Sequence, residues 1–90
     1  DAYKGALLMK LIIRNLDRST TEGEIKILFE EYGTVQSCDL VMDKALGVSK
    51  GFGFVQMPKA AEAKVAMKAM NNKSIGNSKV RVKKAEDRTA

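Results

Sequence analysis

The chain has 90 residues, 44% of them hydrophobic, which is enough for one globular domain near the lower size limit for folding without covalent staples. Sixteen basic residues against eleven acidic ones give a formal net charge of +5, which suits a nucleic acid, an acidic lipid surface or plain solubility without choosing among them. One cysteine (Cys38) and no histidine exclude an internal disulfide framework and argue against a transition-metal site, and no apolar run approaches the roughly 18–20 residues that span a bilayer.

In chain order, residues 1–8 show no clear period and are expected to be a leader ahead of a domain at 9–85. Lys10 to Leu16 reads Lys-Leu-Ile-Ile-Arg-Asn-Leu. Its β-branched content and alternation predict a strand with Leu11 and Ile13 inward and Lys10, Ile12 and Arg14 outward. Thr21 with Glu24 fits a capping box, and Ile25, Leu28, Phe29 and Tyr32 follow at helical spacing as one apolar stripe. Phe29 and Tyr32 therefore belong to the core. Gly33 is placed to stop that helix.

Val35 to Met42 is the second expected strand, with Val35, Cys38, Leu40 and Met42 on the core side, Asp39 and Val41 outward, and a kink or bulge near Gln36-Ser37. Cys38 there is a small buried hydrophobe. Asp43 to Ser49 is a loop, in which Lys44 is either a phosphate contact or a solvated turn charge. The next stretch, Lys50-Gly-Phe-Gly-Phe-Val-Gln-Met57, organises the whole chain. As a strand it places Lys50, Phe52, Phe54 and Gln56 on one face and Gly51, Gly53, Val55 and Met57 on the other. Val55 and Met57 can enter a core. The two phenylalanines then stand on a face with no obvious apolar cover, beside a lysine and an amide. The glycines keep the inner side slim, where a helix is expected to pack.

This segment resembles the octapeptide signature of the RNA recognition motif (RRM) family: basic, Gly, aromatic, Gly/Ala, Phe, Val, any, aromatic. Only Met57 departs, and its position faces the core, so the departure touches packing more than binding. Lys10 to Leu16 resembles the family's second, hexapeptide signature. There Ile12 stands where the family usually carries an aromatic. An isoleucine offers apolar contact and no π face, so one stacking increment of about 1–3 kcal/mol is forgone.

Pro58 is expected to open the second helix, with Ala63, Ala66, Met67 and Met70 as its inner stripe. Asn71-Asn72 and Gly76-Asn77 are turn signals. Lys79 to Lys83 alternates, sending Val80 and Val82 inward and Lys79, Arg81 and Lys83 outward. Residues 86–90 are expected to form a charged tail. The order strand, helix, strand, strand, helix, strand predicts an α+β fold, the ferredoxin-like split βαβ plait. Its four-stranded antiparallel sheet carries both helices on one face. The resemblance further implies that the two signature strands lie side by side at the sheet centre. Glu22, Glu24, Glu30 and Glu31 on the first helix suggest an acidic helix side against a basic sheet.

On this layout Lys10, Ile12, Arg14, Lys50, Phe52, Phe54, Gln56, Arg81, Lys83 and Lys84 form the candidate site. Two bases of a single-stranded RNA would stack on Phe52 and Phe54. The cations would hold phosphates, and Gln56 or backbone groups near Lys84 and Ala85 would read base edges. Single-stranded DNA is a secondary ligand. No cofactor, metal or membrane is implied, and a monomeric single-RRM protein of intracellular, cytoplasmic location (nuclear in a eukaryotic host) is expected. The alternative is a protein-interaction module of the same fold that binds a peptide, with the phenylalanines covered by a partner. Catalysis is not expected, because no nucleophile–base pair is brought together.

Overall fold

A computed structural model describes residues 9–85; the expected leader at 1–8 and tail at 86–90 lie outside the described residues. The elements run β1 (Met9–Arg14), α1 (Glu22–Glu30), β2 (Ser37–Asp43), β3 (Val48–Met57), α2 (Ala60–Met70), β4 (Ser74–Ile75), β5 (Ser78–Lys79) and β6 (Arg81–Lys84). Antiparallel pairing orders the main sheet β2-β3-β1-β6, with β1 and β3 at its centre. The predicted plait is the observed one. It gains a short β4–β5 hairpin that the sequence reading had folded into one strand from Lys79: Ser74 pairs with Lys79 and Ile75 with Ser78.

The alternation of the signature strands sets the core. Leu11 and Ile13 of β1 and Val55 and Met57 of β3 are buried with Ile25 and Phe29 of α1 and Ala63, Ala66 and Met70 of α2; Val80 and Val82 close the cluster. Small alanines on α2 let that helix lie close to the sheet. At α1 the capping box is complete. Glu24 N–H donates to the Thr21 hydroxyl at 3.2 Å, and Thr21 N–H donates to the Glu24 carboxylate at 3.0 Å. Glu22 does a second job: its carboxylate accepts the Leu40 N–H at 2.8 Å, which covers part of the outer edge of β2, an edge strand that otherwise invites pairing with another chain.

Among the described residues Gly23 is the one helical glycine, and a Cβ there meets nothing within 4 Å. Gly23→Ala is expected to raise stability by about 0.5–1 kcal/mol, read as a melting temperature some 2–6 °C higher. An unchanged or lower value would show that the α1 N-terminus needs glycine for another reason.

Three local readings are corrected. Gly33 has no left-handed backbone; a Cβ there would run into the Glu62 side chain, whose carboxylate accepts the Thr34 N–H at 3.0 Å. Its smallness makes room for that clamp between the helices' ends. Pro58 precedes Lys59, the N-cap of α2, and so lies before the helix instead of opening it. The irregularity expected near Gln36-Ser37 is present: Gln36 N–H donates to the Gln56 carbonyl at 2.8 Å although Gln56 is the partner of Ser37, and Val35 and Cys38, three residues apart, both pack against the core. A second irregularity, which the sequence does not announce, falls further along: Leu40 opposes Gly53 whereas Met42 opposes Ser49, so Lys50, Gly51 and Phe52 together face Val41. Finally, the helix side is mixed in charge. Lys59, Lys64 and Lys68 on and beside α2 are exposed there, opposite in sign to α1.

Candidate nucleic-acid interface

Register brings the outward residues of four strands into rows across the sheet. One row runs Lys83, Ile12, Phe54, Asp39; the next runs Arg81, Arg14, Phe52; a third joins Lys10, Gln56 and Ser37. Phe52, Phe54 and Ile12 are half-buried while their inward neighbours are in the core, and Lys10, Arg14, Lys50, Arg81 and Lys83 are exposed around them. Nine of the ten candidate residues thus share the open face by alternation. Lys84 pairs with Leu11, an inward residue, yet it is exposed and lines the groove beside Ile12, Phe54 and Lys83. The Ala85 N–H, expected to read a base edge, already donates to the Lys10 carbonyl at 2.8 Å.

The two rings do not form one flat platform. Their centroids are 6.2 Å apart and their planes 85° apart, an edge-to-face pair of the kind that the ring quadrupole favours. The Lys10 ammonium sits over the Phe54 ring, 4.6 Å from its centroid, close enough for cation–π attraction. A base that stacks on that face of Phe54 must displace the ammonium, which is then free to meet a phosphate. Two bases stacked at once on perpendicular rings would themselves be perpendicular. The pair therefore offers no two parallel stacking surfaces.

Gly51, before the first ring, and Gly53, between the two, have reasons other than helix packing. Gly51 has φ +86°, a conformation that L side chains rarely adopt, and its carbonyl accepts the Leu16 N–H at 2.8 Å. Gly53 lies against β2: a Cβ would fall 2.6 Å from the Asp39 carbonyl oxygen. Glycine, where the family pattern also admits alanine, lets β2 approach this closely.

Asn15, next to last in the hexapeptide, also has left-handed backbone (φ 62°) and donates from Nδ2 to the Lys79 carbonyl at 2.8 Å. Asparagine tolerates that conformation better than most side chains. Next to it, the Asp17 carboxylate accepts from the backbone N–H and hydroxyl of Ser19 and from the Asn77 N–H, bonds that hold its carboxyl below the usual range. Together these bonds anchor the β4–β5 turn to the loop after β1. At the loop's mouth Arg14, Arg18, Lys50, Asn15, Ile12 and Phe52 line an open cleft of about 490 Å³. Arg18 was absent from the sequence reading, because nothing in the local pattern brings a loop residue to the sheet. The same Ile12 also lines grooves toward Arg81 and Lys83, so the missing ring leaves space at the centre of the face. Lys44 lies in the hairpin turn that Asp43 ties by accepting the Ala45 and Leu46 N–H groups.

Cys38 is half-buried, and burial, reinforced by the Glu22 and Asp39 charges, pushes its thiol up to about 11. It remains a neutral thiol at physiological pH, as a packing residue would. Among the described residues no group of His, Cys, Asp and Glu could hold a metal ion, and no helix is long and apolar enough to cross a membrane.

Fold and surface together define an open-faced βαββαβ domain with an aromatic, cationic sheet. The family model for the RNA recognition motif matches residues 11–81, and the chain belongs to that family. Polyadenylate-binding protein 5 of Arabidopsis thaliana is 47% identical over 66 residues, covering 73% of this chain and 10% of that protein. The chain thus spans about a tenth of that relative's length. Among solved structures, RNA binding protein PG1 superposes with a TM-score of 0.84 at 30% identity, over 91% of this chain and 99% of that one. A Sxl-lethal protein/RNA complex gives a TM-score of 0.84 at 26% identity, over 88% of this chain and 47% of the other.

Proposed function

We propose that the open sheet binds a short single-stranded RNA, one copy of the domain to one segment. One base stacks on the Phe52–Phe54 pair, and the second ring packs against its neighbour. Lys10, Arg14, Lys50, Arg81 and Lys83 hold phosphates, and Gln56 reads a base edge. The observation that carries this reading is the cross-strand row structure: two half-exposed rings, paired with Ile12 and Arg14, stand inside a ring of cations on a sheet whose other face is covered by helices. Bases have π faces and phosphates are anionic, so this surface complements single-stranded nucleic acid at both ends of each nucleotide. The RNA complex of the Sxl-lethal protein and the polyadenylate-binding relative support the same choice.

The test is a fluorescence-anisotropy titration with short randomised single-stranded RNA at several salt concentrations. Three to five phosphate contacts predict that log K falls with log salt at a slope of about −2 to −3.5. Ultraviolet crosslinking should map to the segment Lys50–Met57. A deoxy oligomer of the same sequence measures the contribution of the 2′-hydroxyl. No binding even at low salt would remove the RNA reading and favour a peptide partner on this face.

A further inference from the structure

Asp39 stands out on this surface. It is exposed on β2 directly opposite Phe54, within one strand spacing of a ring that takes a base, on a face otherwise lined with cations. A carboxylate there repels phosphate. The other acid on the same side of β2, Asp43, is used by the hairpin turn, where it accepts the Ala45 and Leu46 N–H groups. Asp39 has no comparable duty in the turn. Its row orients a nucleotide: Lys83 lies at one end, Ile12 and Phe54 form the middle, and Asp39 lies at the other end. Phosphate is drawn toward the β6 end, and the edge of a base stacked on Phe54 projects over β2.

We propose that Asp39 selects guanine at the Phe54 stacking position. This rests on the RNA-binding reading above and adds to it a base identity. A carboxylate offers two acceptors and no donor. Guanine presents two adjacent donors on its Watson–Crick edge, N1–H and the N2 amino group, which match the two carboxylate oxygens as a bidentate pair. Adenine and cytosine each offer one amino donor beside a ring-nitrogen acceptor, which would face the second carboxylate oxygen. Uracil offers N3–H flanked by two carbonyls. Only guanine satisfies both oxygens without opposing an acceptor. As an edge strand, β2 leaves the carboxylate reachable from the side.

The test uses four labelled oligouridine RNAs that carry guanine, adenine, cytosine or uracil at one central position, titrated with wild type, Asp39→Asn and Asp39→Ala. Wild type should bind the guanine oligomer about tenfold more tightly than the others. Both variants should reduce that preference to about twofold or less while holding or raising affinity for the all-uridine oligomer, since a negative charge has left the phosphate face. Inosine, which lacks the N2 amino group, should lose most of the preference with wild type. Equal binding of all four oligomers by wild type, or a guanine preference that survives Asp39→Asn or inosine, overturns the proposal while leaving RNA binding intact. Failure of wild type to bind any of them overturns both.

Discussion

The Phe52→Ala/Phe54→Ala double variant should bind single-stranded RNA some 30- to 1000-fold more weakly than wild type and still fold. The binding loss follows from the stacking increment of about 1–3 kcal/mol per base, taken as one full stack plus a weaker ring contact. The sum is about 2–4 kcal/mol, at 1.4 kcal/mol per tenfold. Folding survives because neither ring belongs to the buried cluster; the inward neighbours Val55 and Met57 do. What the fold loses is the edge-to-face ring pair, about 0.5–1.5 kcal/mol, and the Lys10 contact over Phe54, about 0.5–1 kcal/mol. A melting temperature lowered by about 5–15 °C fits that loss in a domain of this length. The phosphate-binding cations remain, so the salt slope should stay at its wild-type value while the whole curve shifts. A variant that is folded by circular dichroism and binds within threefold of wild type would remove the rings from the mechanism. A slope that collapses with the affinity would show instead that the sheet face had been disrupted.

The face assignment was legible because strand periodicity is a local property. Alternation alone separated Phe52 and Phe54 from Val55 and Met57, and Lys10, Ile12 and Arg14 from Leu11 and Ile13, and burial follows it. The capping box was legible for the same reason. What alternation cannot supply is register. That Phe54 stands between Ile12 and Asp39, with Lys83 one strand further on, depends on how β3 aligns with β1 and β2, and β1 with β6. Besides the irregularity at Gln36-Ser37, a slip sits at Lys50–Phe52. Because it adds two residues, it preserves which side each side chain faces. The face was therefore right while the rows were unknown, and Asp39 was noted as outward with no hint that it adjoins a stacking ring. The perpendicular rings and the Lys10 contact depend on side-chain rotamers, and Arg18 reaches the site through a loop. Met42 shows a further limit: on β2 it carries core-side parity, yet it is 45% exposed, because it lies at the hairpin end of the strand.

Gly51→Ala should destabilise the domain by about 1–3 kcal/mol, the cost of holding an L side chain in a sparsely populated left-handed conformation. The melting temperature should fall by about 5–20 °C. The backbone at Gly51 has φ +86°, and an added Cβ would sit 3.3 Å from the Leu16 carbonyl oxygen, so steric pressure adds to the conformational cost. The conformation is fixed from both sides. Gly51 N–H donates to the Ser49 hydroxyl at 3.0 Å and its carbonyl accepts the Leu16 N–H at 2.8 Å. The alanine variant can relieve strain only by giving up one of these bonds. The bend at Gly51 is also what faces Lys50, Gly51 and Phe52 together against Val41 and shapes the cleft shared by Arg14, Arg18 and Lys50. Binding should therefore weaken beyond what the lost stability explains, even at a temperature where the variant is fully folded. Gly51→Asn separates conformation from mere bulk. This chain already places Asn15 and Asn72 at φ 62° and 68°, and asparagine pays less for a left-handed backbone than alanine does. The expected order of melting temperatures is wild type, then asparagine, then alanine. If alanine matches wild type, the left-handed turn is not required at Gly51. If asparagine is the worse of the two, crowding against Leu16 outweighs the backbone conformation.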